Sequence, residues 1–183
     1  MFHHDFFQPN IVIVSNENKE NLQDICARSA TLNLGVIYHS RDTQRAAALP
    51  FLNVWIRPQS PDWNLSTAQR ETNLDLALLL AIRISQSHNL QIRLVTTLQS
   101  IKEMQAAEEY LEGLVDLGRL PRSTLAIAFL GSIWDCIHQA PSAQVHIFGL
   151  PSTEPTTFIG KVEKQIVGHR IFVQGSGKEN LLA

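Results

Sequence analysis

The sequence is poor in the residues that build reactive centres. Its two cysteines, Cys26 and Cys136, are too few and too far apart for a disulfide framework, and this usage fits a reducing compartment. No run reaches the roughly 18 uninterrupted apolar residues of a membrane span. The best stretch, LDLALLLAI at 74–82, carries Asp75 and stops at Arg83, so it reads as a buried helix and direct membrane insertion is not expected. The opening MFHHDFFQPN has neither a basic flank nor a cleavage-site pattern, so no secretory signal is read and the expected location is cytoplasmic. A net charge of −2 gives no electrostatic footprint for nucleic acid or an acidic membrane surface.

Catalytic motifs are equally scarce. There is no G-x-S-x-G elbow. The histidines lack metal-ligand spacing: His3 and His4 are terminal, while His39, His88, His146 and His169 are scattered. Cys136 and His138, two residues apart, point to different sides of a helix, and Cys136 belongs with Ile133 and Ile137 on the apolar side. Glu108, Glu109 and Glu112 read as a solvated helix face rather than paired catalytic acids. The chain closes with HRIFVQGSGKENLLA, where a glycine-serine-glycine-lysine run after a strand resembles a phosphate loop until its spacing is counted. A Walker loop needs glycine at position 172, which is Phe172, and a hydroxyl after Lys178, where Glu179 stands. No catalytic residue and no metal ligand can be named, and no enzyme is expected.

What the chain does have is alternation. Short branched or aromatic runs at 10–15, 35–40, 51–58, 91–97, 123–130, 143–151 and 169–174 read as strands. Between them lie helical stretches. Leu22, Ile25, Cys26, Ser29 and Ala30 share one face, DTQRAAAL is a short helix, and Thr72 with Asp75 reads as a capping box opening a helix at 73–86. The clearest helix spans 100–117, with Ile101, Met104, Ala107, Leu111, Leu114 and Val115 in one stripe, Gly118 to end it and Pro121 to block continuation. SIWDCIHQA is another short helix. A weak stretch holding Ile159, Val162 and Ile166 carries no assignment.

This order predicts one α/β domain over 1–183: an open, mostly parallel sheet of about seven strands with helices on both faces. Within it, 1–9 is a lead-in, 57–71 a long loop and 175–183 a tail. Ligands of such sheets sit beyond the carboxyl ends of the strands. Ser15, Asn16, Thr96, Gly149 and Gly175 lie at those expected ends, small and polar enough to contact a nucleotide such as ATP or ADP. The same residues are also what ordinary caps and tight bends require.

Several phrases together resemble one family. FFQPNIVIVSNENKENLQDICARSATLNLGVIYHS resembles the opening of the cytosolic C-terminal domain of cation–chloride cotransporters. LNVWIRPQSPDWNLSTAQRETNLDLALLLAIRISQSHNLQIRLVTT is similar to that domain's strand, loop, leucine-rich helix and next strand. AAEEYLEGLVDLGRLP followed by VHIFGLP resembles the prokaryotic branch, and RIFVQGSGKENLLA its last strand and tail. The resemblance implies a universal-stress-protein-like, Rossmann-like fold, a homodimer, and a non-catalytic regulatory role beneath a membrane transport domain that moves chloride with sodium or potassium. It also admits the alternative of a nucleotide-binding stress-type sensor. The transport domain is absent from these residues, which implies either a dissected fragment or a free-standing relative acting in trans. For the dimer surface the sequence offers Trp63 in the long loop and Tyr110 on the 100–117 helix. The competing reading for Trp63 is docking onto its own domain.

Overall fold

Seven runs of branched and aromatic residues become the strands of one sheet, because only pairing satisfies their backbone groups once their side chains are buried. The computed structural model describes residues 10–41, 49–68, 72–179 and 181–182. The lead-in 1–9 and the DTQRAAAL helix, over 42–48, lie outside the described residues. In chain order the elements are β1 (Ile11–Val14), α1 (Leu22–Thr31), β2 (Gly35–Ser40), β3 (Phe51–Trp55), α2 (Leu65–Ala68) and α3 (Thr72–His88). They continue with β4 (Gln91–Leu98), α4 (Met104–Leu117), β5 (Leu125–Leu130), α5 (Ile133–Cys136), β6 (Val145–Gly149), α6 (Pro155–Glu163) and β7 (His169–Gln174). Short 3-10 turns at Asn16–Asn21 and Ile101–Glu103 lead into α1 and α4.

The sheet order is β1-β2-β7-β6-β3-β4-β5. Every neighbouring pair is parallel except β2 with β7. β1 and β2 therefore run against the other five strands. The expected open, mostly parallel sheet is present, with one antiparallel seam that alternation alone does not reveal. At the seam β2 ends at Ser40, opposite the start of β7, at the end of the sheet where β3 also begins, so β2 and β3 run in opposite directions.

Two apolar layers cover the two faces. α3 and α4 supply Leu74, Ala77, Leu78, Ala81, Tyr110, Leu111 and Leu114 to one of them, against Leu52, Val54, Leu94 and Ile147 of the strands. α1, α5 and α6 cover the other with Leu22, Cys26, Ile137, Ile159 and Val162. On that second face one side chain per strand stands in register across the whole sheet: Val14, Tyr38, Phe172, Phe148, Trp55, Val95 and Ile127. Trp55 stacks on Phe148 at 5.5 Å, Phe148 on Phe172 at 5.5 Å, and Tyr38 meets Phe172 at 6.0 Å between ring centroids. Phe158 of α6 stands edge-on to both Phe148 and Phe172.

The local readings fare unevenly. The weak stretch at 155–166 is a true helix over its first part, started by Pro155 at a position where the missing N–H costs nothing. The long loop contains α2. α3 begins at Thr72, and the Asp75 carboxylate accepts a hydrogen bond from the tail, as described below. The capping box that does form is Ser132 with Asp135 at α5.

His146, on β6, is buried in the row's surroundings and accepts a hydrogen bond at Nδ1 from Trp55 Nε1 at 3.3 Å. Burial pushes its pKa down to about 4. The folded chain thus holds the neutral imidazole, so its stability is intact above the ordinary histidine pKa and falls as the pH drops from about 6.5 toward about 4. Urea unfolding at pH 7 and pH 4.5 should show a loss of about 2–3 kcal/mol from this group. That loss should shrink in His146→Gln, and an unchanged pH slope in the variant contradicts the assignment.

Candidate functional site

The antiparallel seam decides where the expected nucleotide residues go. The carboxyl ends of β3, β4, β6 and β7 share one end of the sheet, whereas β1 delivers Ser15 and Asn16 to the opposite end. The five residues expected to contact a nucleotide therefore do not line one site. Asn16 Oδ1 accepts a hydrogen bond from Tyr38 Oη at 2.5 Å, and Ser15 Oγ accepts one from Asn18 Nδ2 at 3.3 Å. Thr96 is fully buried, its hydroxyl donating to Ile56 O at 3.0 Å.

Gly149 and Gly175 do come together, through a residue that the sequence reading passed over. Asn73, at the start of α3, donates from Nδ2 to Leu150 O at 2.8 Å and accepts at Oδ1 from Gly175 N at 2.9 Å. It ties the exits of β6 and β7 to each other. A side chain at Gly149 would meet the Asn73 Cβ at 3.3 Å, so the glycine is there for the close approach.

Beyond Gly175 the glycine-serine-glycine turn forms an anion nest, and the chain fills it with its own acid. Ser176 N and Gly177 N donate to Glu179 Oε2 at 2.9 and 3.0 Å, and Ser176 Oγ donates to Glu179 Oε1 at 2.9 Å. The tail then returns to the body. Leu182 is fully buried in the layer under α3 and α4, and its N–H donates to Asp75 Oδ1 at 3.0 Å. Burial raises the Asp75 pKa, the backbone N–H groups of Leu182 and Leu181 lower it, and the nearby Glu179 carboxylate raises it. Asp75 serves the tail.

At the opposite end lies a polar cleft of about 500 Å³ lined by Asn16, Glu17, Lys19, Glu20, Ser40, Arg41, Glu163 and Arg170. Its contacts form a clamp across the seam. Lys19, on the turn after β1, pairs with Glu163 of α6. Ser40 Oγ of β2 donates to Glu163 Oε1 at 2.6 Å, and the buried Arg170 of β7 donates to Ser40 Oγ at 3.4 Å and to Ile166 O at 2.7 Å. Burial and the Glu163 carboxylate push the Tyr38 phenol up to about 12, against the opposing influence of Arg170. Beside the clamp, the rings of His39 and His169 stack with centroids 5.4 Å apart. Burial, then His169, Arg41 and Arg170, lower the His39 pKa. Cationic Lys19, Arg41 and Arg170 are matched among the lining residues by Glu17, Glu20 and Glu163, so the cleft has no net attraction for an anion.

The sulfur groups offer no nucleophile. Burial raises the Cys26 thiol, and burial followed by the Asp135 carboxylate raises that of Cys136, which favours the unreactive protonated form. Among the described residues, no three His, Cys, Asp or Glu side chains are grouped to hold a metal ion. Nor, among them, is any helix long and apolar enough to cross a membrane.

Trp63 and Tyr110, offered by the sequence as contact residues, are 6% and 2% exposed and present no surface. Their rings meet edge-on at 5.8 Å, and Trp63 Nε1 donates to Glu103 Oε2 at 2.8 Å. The loop tryptophan docks onto its own domain. Of the residues sequence reasoning missed, Arg170 had a signal, as the single cation inside the apolar run HRIFVQ. Asn73 and Glu163 had none, because their partners are remote in sequence.

The tail contacts predict that Leu182→Ala lowers stability by about 2–5 kcal/mol, the range for truncating a buried leucine. Denaturant unfolding measures it, and a loss below about 0.5 kcal/mol, as for an exposed site, shows the tail is not docked.

Comparison with known proteins adds identity to this geometry. Residues 48–182 match a family model described as "Prokaryotic cation-chloride cotransporter, C-terminal domain, 2nd". No curated protein matches the chain. A solved structure, the crystal structure of the cytoplasmic domain of a prokaryotic cation chloride cotransporter, superposes with a TM-score of 0.82 at 24% identity. That likeness covers 98% of this chain and 69% of the other and speaks for the fold. With the family model spanning most of the sequence, the chain belongs to the C-terminal domain family of prokaryotic cation–chloride cotransporters.

Proposed function

We propose that this chain is a cytoplasmic regulatory and dimerisation domain, acting on a membrane domain that moves chloride together with sodium or potassium and catalysing no reaction itself. The observation that carries this reading is the family match across residues 48–182. The side-chain chemistry supports it. Burial keeps the thiols protonated and His146 neutral, and in the polar cleft Lys19 and Glu163 pair with each other. Function then rests on contact: the domain offers surfaces rather than a reaction centre.

Two measurements test this. Light scattering across micromolar concentrations should give a dimer mass, and a persistent monomer counts against dimerisation. Chloride-dependent cation flux through a transport domain of this family should change severalfold when this chain is joined to it. Equal flux with and without the chain removes the regulatory role.

A second reading, nucleotide sensing, is favoured by one observation, the nest of N–H groups at Ser176 and Gly177. A phosphate could enter only after Glu179 leaves. Calorimetry with ATP and ADP on the native chain and on Glu179→Ala decides the matter: binding heat confined to, or stronger in, the variant supports a gated site. No heat from either chain at millimolar ligand removes this reading.

A further inference from the structure

The edge strand β5 is apolar and unguarded. Its sequence LAIAFL has neither charge nor proline, the usual protections of an exposed sheet edge, and Leu125 and Leu130 are 44% and 52% exposed. The backbone direction along it is fixed by one hydrogen bond: Gly131 N donates to Leu98 O on β4 at 2.9 Å. In a parallel pair alternate residues face the neighbour, so Leu125, Ile127 and Phe129 turn their backbone groups toward β4. Ala126, Ala128 and Leu130 turn theirs outward, away from the sheet.

We propose that this edge pairs antiparallel with the β5 of a second copy, about a two-fold axis at Ile127. The inference rests on the dimerisation reading above and names its surface. Three observations select a second copy over an unrelated strand. First, an antiparallel ladder centred on Ile127 sets small outward-facing Ala126 against Ala128 and large Leu125 against Phe129, so residue sizes match across the pair. The strand is complementary to itself. Second, the register-matched row that crosses all seven strands ends on half-buried Ile127, and this pairing continues it into the Ile127 of the copy. Third, the flanking charges are complementary under the two-fold. Exposed Arg119 and Arg122 precede β5, and exposed Asp135 follows it, so each basic end meets the acidic end of the copy. The two seven-stranded sheets then form one continuous sheet.

Four variants test this by light scattering and oxidative crosslinking. Ala128→Pro removes an outward N–H without breaking a bond to β4, and should weaken dimerisation about 100-fold. Leu130→Lys places a charge on the same edge and should do likewise, which keeps the test decisive if the proline variant does not fold. Ile127→Cys should form an intermolecular disulfide under mild oxidation, while Ile13→Cys on the opposite edge should not. A dimer that survives Leu130→Lys, together with no crosslink in the Ile127→Cys variant, overturns the β5 surface while leaving dimerisation intact. A native chain that stays monomeric overturns both.

Discussion

The register that aligns Val14, Tyr38, Phe172, Phe148, Trp55, Val95 and Ile127 is the constraint on which the rest of the structure depends. Side chains alternate between the faces of a strand, so a slip of one residue in β2, β3, β6 or β7 would carry an aromatic ring through to the α3 and α4 side. That side is already filled by leucine, valine and isoleucine. Each fully buried member of the row contributes roughly 1.5–3 kcal/mol, and the stacked rings add to this. The row crosses the antiparallel seam without interruption, since Tyr38 of β2 meets Phe172 of β7. Packing across the sheet thus locks together two sets of strands that run in opposite directions.

The same seam distributes the polar chemistry. In a fully parallel sheet every strand would deliver its following turn to one end, and those turns would converge on one ligand. Here two of the seven strands deliver theirs to the other end. At one end, Asn73 and the Glu179-filled nest close the exits of β6 and β7. At the other, Lys19, Glu163, Ser40 and Arg170 link the turn after β1 with α6, β2 and β7. Both ends are fastened by internal contacts, with Lys19, Glu163, Arg170 and Glu179 serving as ties.

Under the proposed regulatory reading, a domain built this way acts through its surfaces. The buried carboxylate of Asp75 holds the tail, and the nest that elsewhere would take a phosphate holds Glu179. The exposed apolar side chains that remain lie mainly at the two sheet edges, Ile11 and Ile13 on β1 and Leu125 and Leu130 on β5.

The sequence by itself determined the elements. Period-two and period-3.6 patterns are local, so β2 at 35–40, β7 at 169–174 and the long α4 could be read directly, and the turn chemistry of GSGK could be told from a phosphate loop by counting. Even α6 escaped only because its apolar residues are spread thinly along a polar stretch. The tertiary structure alone decided direction, adjacency and occupancy: that β1 and β2 run backward, that Trp63 and Tyr110 face each other inside the core, and that Asp75 reaches Leu182. Strand direction depends on where a connection ends in space, and a buried carboxylate's partner depends on which distant backbone N–H is left unpaired. Both are properties of the packed chain, and no window along the sequence contains them.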